Sequence, residues 1–569
     1  MPRESRSMCD ISYGRRRGVM PCLVIMLWAF PVVFNDTLHG KIGCRITRGL
    51  VSDTYNLGVH MLLGDIIRWH GHKTPSRIAL ISEGREITFG SLLGRVNQVA
   101  NAMSAFCSPG DRVAILAENI PEYVECYYGV PDAGLALNFL NYRLHPKEWS
   151  WIMKNAEARV LLVQEKFLEA LQPELADIPT LEHIIVIGSG TSEYPSYHDV
   201  VGAASVDAVD REVDVDSTAW LLYTSGTTGF PKGAMVTHRN LMVAVMNSVI
   251  EYEIQPDERT LIAFPLCHVS GYSVPLTHFR GGRVVLFPMF EPELWMKEVD
   301  KHGITGTSMA PTMLNFILEH PKVLDYKLTS LRGIGYGAAA MPVEVLRAAI
   351  KRFGPIVYSG FGMTELGGNV LTFPKRDHER AINGDEHLLL SCGTPMVMAE
   401  VKVVDENMVE CPPGVVGELV VRGEQVLKGY FNNEEGTRKA FDDGWFHSGD
   451  MAKRDEEGFF YIVDRMKDMI LTGGENVYSR EVEEVLYTHP SVSEAAVIGL
   501  PDPKWGENVV AVIVLKKDMT ATEADIIAAV RDRLAGFKKP KKVFFVDELP
   551  KTVSGKIIKR ELRDRFAGQ

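Results

Sequence analysis

The chain has 569 residues, of which 46% are hydrophobic and 24% are charged. This length exceeds one compact core and indicates two or more domains, while the composition is typical of a globular protein. A formal net charge of −12 gives the chain no general attraction for nucleic acid, so we expect no nucleic-acid partner. The eight cysteines include no CxxC pair and no zinc-type cluster with histidine, which predicts reduced thiols in a cytoplasmic protein.

The first fifty residues differ from the rest of the chain. Three arginines at 15–17 precede an apolar run over residues 19–34, an order that resembles a secretory signal or a signal anchor. The run is shorter than the roughly 20 residues of a spanning helix, and Pro21 and Pro31 interrupt it. We therefore expect residues 1–50 to be an extension outside the fold, with a membrane anchor as the alternative.

Beyond this extension, segments typical of helices alternate with segments typical of strands. Apolar residues three and four positions apart predict the helices, and short runs rich in β-branched residues predict the strands. The predicted helices are 62–70, 91–106 and 343–352, the last with Pro342 in its first turn, and the predicted strands are 87–89, 112–116, 159–163, 183–187 and 219–222. This alternation predicts α/β layers with mainly parallel sheets.

The pattern changes after residue 400. Short strands at 400–405, 417–422 and 459–463, separated by glycine-rich turns, predict a β-rich subdomain. A last segment predicts helices 479–489 and 523–535 around strands 494–499 and 508–515. The predicted fold is a large N-terminal domain of layered α/β sheets with a β-rich subdomain, at 51–464, and a small mobile α+β domain, at 465–569.

A glycine- and hydroxyl-rich segment, Tyr223-Thr-Ser-Gly-Thr-Thr-Gly-Phe-Pro-Lys-Gly, follows the strand at 219–222. A phosphate loop needs glycines that let the backbone curl around the anion, together with N–H and hydroxyl donors. The segment lacks the spacing of a Walker A motif, and by itself it is also compatible with an ordinary polar loop. The candidate phosphate contacts are Thr224, Ser225, Gly226, Thr227, Thr228, Gly229 and Lys232.

This segment resembles the signature of the adenylate-forming superfamily, which comprises acyl-CoA synthetases, luciferase-like enzymes and the adenylation domains of peptide synthetases. Six further segments match in the expected order, namely GYGAAA at 335–340, GFGMTE at 360–365, GWFHSGD at 444–450, DRMKD at 464–468, GGENV at 473–477 and PKTVSGK at 550–556. The resemblance covers about residues 55–565 and is strongest to bacterial fatty-acid–CoA ligases. It implies that the chain forms an acyl-AMP from ATP and a carboxylic acid, expected to be a fatty acid, and passes the acyl group to coenzyme A.

The resemblance also implies how the first reaction is catalysed. The acid's carboxylate must attack the negatively charged α-phosphate of ATP, so cations and aligned donors must offset their repulsion. Glu365 is the expected Mg²⁺ ligand, because Mg²⁺ prefers carboxylate and phosphate oxygens. Thr224 and Thr364 are expected to donate to phosphate. Lys556, in a turn of the C-terminal domain, is expected to neutralise the charge that develops during adenylation.

Other matched residues are expected to bind the nucleoside. Asp450 would accept hydrogen bonds from both ribose hydroxyls, because a carboxylate offers only acceptors. Arg465 is expected to contact ribose or phosphate, with a surface ion pair as the alternative. The adenine is expected to lie between the chain at Gly337, Ala338 and Ala339 and the ring of Phe361, beside Gly362.

The second reaction needs a thiol near the acyl carbonyl, and in the superfamily the C-terminal domain rotates to admit it. Lys467 matches the hinge of this rotation, and Gly474 lies in the loop expected to line the pantetheine tunnel. His268 matches the position that borders the acyl pocket, with a structural histidine as the alternative. Lys551, Lys559 and Arg560 are expected on a solvated basic face, with a CoA-phosphate contact as the alternative.

Two positions depart from the superfamily pattern: Phe361 replaces a common tyrosine, and Ala340 replaces a common proline. The rival functions are an acyl-AMP ligase that loads a carrier protein and a non-catalytic acyl- or nucleotide-binding protein. The uninterrupted stretch from Arg465 to Gly473 favours CoA over a carrier protein. Glu365, Asp450 and Lys556 favour an enzyme over a binding protein. The sequence does not indicate an oligomeric state.

Overall fold

The computed structural model describes residues 61–224, 231–337, 341–551 and 557–567. The extension predicted at 1–50 lies outside these residues, and so do Ser225, Gly226, Thr227, Thr228, Gly229, Ala338, Ala339 and Lys556. Within the described residues, no helix is both long enough and apolar enough to cross a bilayer.

The first half of the large domain alternates strands and helices, as the sequence predicts. Its elements are α1 (Asp65–Lys73), β1 (Ile78–Ser82), β2 (Arg85–Thr88), α2 (Phe89–Phe106), β3 (Arg112–Leu116), α3 (Pro121–Asp132), β4 (Ala136–Phe139), α4 (Pro146–Asn155), β5 (Ala158–Gln164), α5 (Glu165–Leu171), β6 (His183–Ile187), α6 (Tyr197–Gly202), β7 (Thr218–Thr224), β8 (Lys232–Thr237) and α7 (His238–Glu251). Thr88 caps α2 by accepting the Ser91 N–H, at 3.2 Å. The strand predicted at 87–89 is therefore wrong at Phe89, which is the first residue of the helix.

The second half of this domain continues the alternation. Its elements are β9 (Arg259–Ile262), α8 (Ser273–Phe279), β10 (Arg283–Leu286), α9 (Pro292–His302), β11 (Gly306–Met309), α10 (Pro311–Leu318), β12 (Gly333–Tyr336), α11 (Val343–Phe353), β13 (Val357–Met363), β14 (Gly368–Phe373), α12 (Lys375–Ile382) and β15 (Thr394–Pro395). Pro342 has extended backbone angles and precedes α11 as its N-cap, so its predicted place in the first turn is wrong by one residue.

The β-rich subdomain follows. Its elements are β16 (Glu400–Val404), β17 (Gly417–Arg422), β18 (Gly429–Tyr430), α13 (Glu434–Ala440), β19 (Phe441–Asp442), β20 (Trp445–Arg454) and β21 (Phe460–Arg465). An antiparallel sheet is formed by β16, β17, β19, β20 and β21. β18 belongs to a different sheet, in which it pairs with β8.

The C-terminal segment has its own sheet and its own helices. Its elements are β22 (Ile470–Thr472), β23 (Glu475–Val477), α14 (Ser479–Tyr487), β24 (Val492–Asp502), β25 (Gly506–Leu515), α15 (Glu523–Arg531), β26 (Lys542–Phe545) and α16 (Lys559–Phe566). α14 and α15 pack on one face of this sheet, and α16 packs on the other. Both helices of the first face end before the predicted residues 489 and 535.

Two large sheets organise the N-terminal domain. The described strands of the first sheet have the order β18-β8-β7-β4-β3-β5-β6, and those of the second have the order β15-β14-β13-β12-β11-β9-β10-β1-β2. The central strands of both sheets are parallel. In β3, Val113 faces the centre of the domain and Ala114 faces the outer helices, so an apolar strand buries both of its faces.

The helices lie in three layers around these sheets. α2, α3, α7 and α8 lie between the two sheets, around buried rings such as those of Phe89, Tyr127 and Trp220. α9, α10 and α11 cover the outer face of the second sheet, and α4 and α5 cover that of the first. The predicted fold class, with layered α/β sheets, a β-rich subdomain and a small C-terminal domain, is confirmed.

Candidate active site

A hairpin of the first sheet positions the predicted phosphate segment. β7 and β8 are antiparallel, and Thr224 lies opposite Lys232 where the two strands open into the segment at 225–230. Thr224 and Lys232 are therefore strand residues, whereas the sequence pattern placed them in a loop. A Cβ atom at Gly233 would lie about 3.0 Å from the Tyr223 ring, so the ring packs closely over this glycine. The hairpin fixes one hydroxyl and one ammonium group at its mouth.

Glu365 faces this hairpin from the second sheet. It lies in a 3₁₀ turn (Thr364–Leu366) directly after β13. The Thr224 hydroxyl donates to Glu365 Oε1 at 3.1 Å, and the Tyr430 hydroxyl donates to the same oxygen at 3.2 Å. Lys232 Nζ lies 4.9 Å from the centroid of the Tyr430 ring. Residues from three separate parts of the chain thus meet around one carboxylate oxygen.

Tyr430 is a member of this group that the sequence analysis missed. It reaches the site because β18 pairs with β8, so that Tyr430 lies opposite Ala234. Burial and the neighbouring Glu365 carboxylate raise the pKa of Tyr430, which therefore stays a hydrogen-bond donor. The local signal is only a Gly-Tyr pair in a two-residue strand, which is too short to predict such a pairing.

A face without side chains runs along the second sheet. In β12 and the residue that follows it, every second residue is a glycine, at 333, 335 and 337, so all three lie on the same face of the sheet. A Cβ atom at Gly337 would meet only the carbonyl oxygen of Gly360, at 3.5 Å. At Gly362, a Cβ atom would clash with the backbone of Gly368. This glycine face leaves a slot at Gly337, beside the Glu365 turn, whereas the Tyr358 ring and the Ser308 hydroxyl lie against Gly335.

Phe361 lies beside this slot but points to the other side of β13, because side chains alternate along a strand. It is half-buried against the core of the β-rich subdomain. Thr364 is also half-buried and begins the Glu365 turn. The structure thus places both residues at the edge of the slot that the glycines form.

Asp450 and Arg465 form a second polar pair. They are register partners on the antiparallel strands β20 and β21, and Arg465 Nε lies 3.1 Å from Asp450 Oδ1. The Asp450 side chain is 3% exposed, whereas that of Arg465 is 46% exposed. A buried carboxylate thus points one oxygen at a guanidinium that still reaches solvent. The predicted surface ion pair of Arg465 exists, and its partner is the predicted ribose ligand.

A polar network connects the β-rich subdomain to the C-terminal segment. The Ser479 N–H and hydroxyl both donate to Asp464 Oδ2, the hydroxyl at 2.7 Å. Lys559 donates to the Ser479 hydroxyl and pairs with Glu483 at 2.7 Å. With side chains only 13% and 15% exposed, Lys559 and Glu483 are largely buried. The expectation that Lys559 lies on a solvated basic face is therefore wrong, whereas Arg560 is exposed.

Lys467 lies between these two polar groups. Burial lowers the pKa of Lys467, and the nearby Arg465 lowers it further. Gly473 and Gly474 form the two-residue turn between β22 and β23, with φ angles of 62° and 85°. Two consecutive residues with positive φ are typical of a tight hairpin turn, which other residues adopt at a cost. The exposed tip at Gly474 leaves room on its outer side.

His268 lies in a loop that a buried asparagine holds in place. The Asn119 amide donates to the carbonyl oxygens of Phe264 and Phe287, and its oxygen accepts the Leu266 N–H at 2.8 Å. His268 is half-buried and directly precedes a 3₁₀ turn (Val269–Tyr272). Asn119, which the sequence analysis did not identify, positions the His268 loop against the second sheet.

Comparison with known proteins assigns this arrangement to a family. Residues 67–431 match the family described as AMP-binding enzyme, and residues 481–556 match its C-terminal domain. The chain is a member of the AMP-binding enzyme family. The chain is 37% identical to a feruloyl-CoA synthase of Amycolatopsis sp over 496 residues, which are 87% of this chain and 96% of the relative.

Two further AMP-binding enzymes resemble the chain over most of their length. A medium/long-chain fatty-acid–CoA ligase of Mycobacterium tuberculosis is 34% identical over 538 residues, 91% of each chain. The solved structure of the anthranilate–CoA ligase AuaEII in complex with anthranoyl-AMP superposes with a TM-score of 0.81 at 28% identity, over 91% of this chain and 99% of the other. The predicted superfamily is confirmed, and the protein is an ATP-dependent acid–CoA ligase that uses ATP, Mg²⁺ and coenzyme A.

The residues around Glu365 fit a magnesium ion. Mg²⁺ is usually held by one or two protein carboxylates together with phosphate oxygens and water. Among the described residues, no lysine or arginine pairs with Glu365, and its Oε1 atom receives only neutral hydroxyl donors. A carboxylate that meets no protein cation among the described residues, beside a phosphate-type hairpin, is the kind of ligand that this ion needs.

Proposed function

We propose that this ligase works in two half-reactions at the site between Thr224, Glu365 and Asp450. In the first, a carboxylate oxygen of the acid attacks the α-phosphorus of ATP, the bond to pyrophosphate breaks, and an acyl-AMP forms. In the second, the CoA thiolate attacks the acyl carbon and AMP leaves. The contact of Glu365 with Thr224 and Tyr430 beside the hairpin of Lys232 is the observation that carries this proposal.

For the first half-reaction, we assign charge compensation to residues on both sides of the phosphates. Glu365 would hold Mg²⁺, which supplies positive charge next to the phosphate oxygens when it is bound. The hydroxyls of Thr224 and Thr364 and the segment of Ser225, Gly226, Thr227, Thr228 and Gly229 would donate to phosphate. Lys232 stays near the hairpin mouth through its contact with the Tyr430 ring. Lys556 would approach the α-phosphate from the C-terminal domain.

For the nucleoside, we assign the ribose to Asp450 and the adenine to the glycine face. The Asp450 carboxylate is buried, and a carboxylate suits two hydroxyl donors because it offers only acceptors. The adenine would lie against Gly337, Ala338 and Ala339, with Phe361 and Gly362 at its edge. The low exposure of Asp450 supports this role, because a hydrogen bond from ribose is strengthened where water is excluded.

For the second half-reaction, we propose a rotation of residues 465–569 against residues 51–464 about Lys467. The exposed Gly473-Gly474 turn would then line the path of the pantetheine arm, where small residues leave space. His268 would border the acid between the two steps. CoA is cytosolic, so we also propose a cytoplasmic location, with residues 1–50 outside the catalytic fold.

The finer identity of the acid stays a prediction. The medium/long-chain fatty-acid ligase that resembles this chain supports a fatty acid, whereas the feruloyl-CoA synthase, with its higher identity, supports an aromatic one. A carrier protein as the acceptor is the second candidate. The short connection between Arg465 and the β22–β23 hairpin supports CoA, because it holds no inserted segment that would hinder rotation.

The test is acid-dependent exchange between ATP and pyrophosphate, followed by thioester formation with free CoA. We expect exchange only in the presence of a carboxylic acid. Lys556→Ala should abolish this exchange and leave thioester formation from supplied acyl-AMP largely intact. Absence of exchange with every acid of a broad panel would overturn the proposal, and equal loss of both half-reactions in Lys556→Ala would overturn the role of Lys556.

A further inference from the structure

A second cavity lies at the opposite end of the glycine face, away from Glu365. It has a volume of about 230 Å³ and lies between the amino ends of the second-sheet strands and the helices α7 and α8. Its lining includes polar and charged side chains. Six of the residues that line it are Glu258, Thr260, Thr277, Ser308, Tyr358 and Lys375.

The cavity lies at the Gly333 end of the glycine face, where the Tyr358 ring lies against Gly333 and Gly335. Gly333 lines the cavity, and Gly335 and Gly337 follow on the same face. Four residues of strand span about 13 Å, so the cavity begins about that far from the proposed adenine contact at Gly337. Tyr252, directly after α7, packs against Tyr358 with the rings tilted by 35° and a centroid distance of 4.7 Å, and the two rings give the cavity an aromatic wall. An acid whose carboxylate points to the nucleotide would place its far end here.

Lys375 brings a positive charge into this cavity. It is the first residue of α12, and its Nζ atom lies near Gly333, where a Cβ atom would be 3.7 Å from it. The same Nζ atom is 5.8 Å from the centroid of the Tyr358 ring. Among the described residues, Lys375 makes no ion pair and no hydrogen bond. Burial lowers the pKa of Lys375, as expected of an ammonium that has lost water without gaining a close partner.

Two other charged groups of the cavity, Glu258 and Arg332, already have partners. Glu258 accepts from the Thr305 hydroxyl and pairs with Arg332 at 3.3 Å. Arg332 also pairs with Asp257 at 2.9 Å. Glu253 lies at the exposed rim and acts on Lys375 only at longer range. The cavity floor thus keeps one ammonium that a bound molecule can neutralise.

We propose that Lys375 binds a second carboxylate at the far end of the acid, and that the substrate is therefore an acid with two carboxylates rather than an unsubstituted alkanoic acid. This inference rests on the proposed function. Charge-assisted hydrogen bonds are stronger than neutral ones, so they can set the choice between two acids.

The test compares matched acids that differ only in this second carboxylate. One series runs from hexanoic to dodecanoic acid against the α,ω-dicarboxylic acids of equal length, and a further pair is cinnamic acid with and without a para-carboxyl group. kcat/KM is measured for the wild type, Lys375→Met and Lys375→Arg. Lys351→Met, an exposed lysine on α11, is the control.

The wild type should prefer the dicarboxylic member by about tenfold or more in at least one pair that spans on the order of 10 Å. Lys375→Met should lose this preference with an unchanged KM for ATP, Lys375→Arg should keep part of it, and Lys351→Met should keep all of it. A wild-type preference for the monocarboxylic member of every pair would overturn the role of Lys375, and so would an equal loss for both members in Lys375→Met. If Lys375 has no such role, pyrophosphate exchange with the monocarboxylic acids would still support the proposed function. Absence of exchange with every acid would overturn both the role of Lys375 and the proposed function.

Discussion

The candidate site draws its charged groups from two parts of the molecule that differ in how firmly they are held. Thr224, Glu365 and Asp450 lie on or next to strands of sheets whose central residues are buried, and Asp450 itself is 3% exposed. The C-terminal segment has a smaller core, and its contacts with the β-rich subdomain include the polar network from Asp464 to Ser479 and Lys559. A rigid scaffold suits groups that must keep their geometry, and a polar joint suits a part that must rotate. The following substitutions test this contrast.

The largest expected effect is on catalysis, at Glu365 of the N-terminal domain. Glu365→Gln keeps an oxygen for the Thr224 and Tyr430 hydroxyls but removes the charge. We expect a fall of about a hundred- to a thousandfold in kcat for pyrophosphate exchange, because charge compensation at the phosphates is lost. The melting temperature should change little. Glu344→Gln, on an exposed position of α11, is the control, and similar losses in both variants would contradict this role.

The second-largest expected effect is on stability, and it concerns the polar network between the β-rich subdomain and the C-terminal segment. Lys559→Met removes the partner of Glu483, whose pKa burial already raises, and leaves that carboxylate buried without a cation. We expect a loss of about 3 kcal/mol in the stability of the C-terminal segment, measured by chemical denaturation. Lys551→Met is the matched control, because its pair with Glu494 is about one-third exposed and worth about 1 kcal/mol or less. Equal losses of stability in the two variants would show that burial of the Lys559–Glu483 pair does not increase its contribution to stability.

Asp450→Asn, in the N-terminal domain, should weaken ligand binding while leaving stability almost unchanged. We expect the KM for ATP to rise by about tenfold to a hundredfold, because a carboxylate that accepts from ribose is replaced by a weaker acceptor. Unfolding should change little, since the partner Arg465 is 46% exposed and can turn to water. Asp442→Asn, at an exposed position of the same sheet, is the control. A loss of stability without a change in KM would contradict the ribose assignment.

The smallest expected effect is at Tyr430. Tyr430→Phe removes one neutral hydrogen bond to Glu365 and keeps the ring that contacts Lys232. We expect kcat for pyrophosphate exchange to fall by about threefold to tenfold, the effect of a single neutral hydrogen bond. Tyr461→Phe removes a hydroxyl that donates to Asp455 in the same subdomain and is the control. A loss as large as that of Glu365→Gln would mean that Tyr430 itself carries the chemistry.

Much of the large domain could be predicted from local patterns, since strands such as 112–116 are short apolar runs between turns. The boundaries failed where one side chain decides them, as at Thr88, which caps a helix that begins two residues earlier than the pattern indicates. The matched motifs predicted Thr224 and Glu365, and the structure brings them within 3.1 Å of each other. Ser225 to Gly229 and Lys556 lie outside the described residues, and their roles remain predictions.

The residues that the sequence analysis missed depend on contacts between distant segments. Tyr430 reaches the site through a strand pairing with β8, and Lys375 reaches the cavity because α12 begins beside β12. Lys559 was expected on a solvated face because its local sequence is basic, but its partner Glu483 lies on another helix. No local periodicity contains these pairings, so they follow only from the assembled fold.

The pairing of β18 with β8 also has a consequence for how this protein is made. The strand that carries Tyr430 completes the edge of the first sheet beside the phosphate hairpin, yet it is synthesised long after that hairpin leaves the ribosome. An emerging chain that ends before Tyr430 lacks one wall around Glu365, so nucleotide binding cannot yet stabilise it fully. Chaperones would have to protect the exposed edge of β8 until translation passes Phe431.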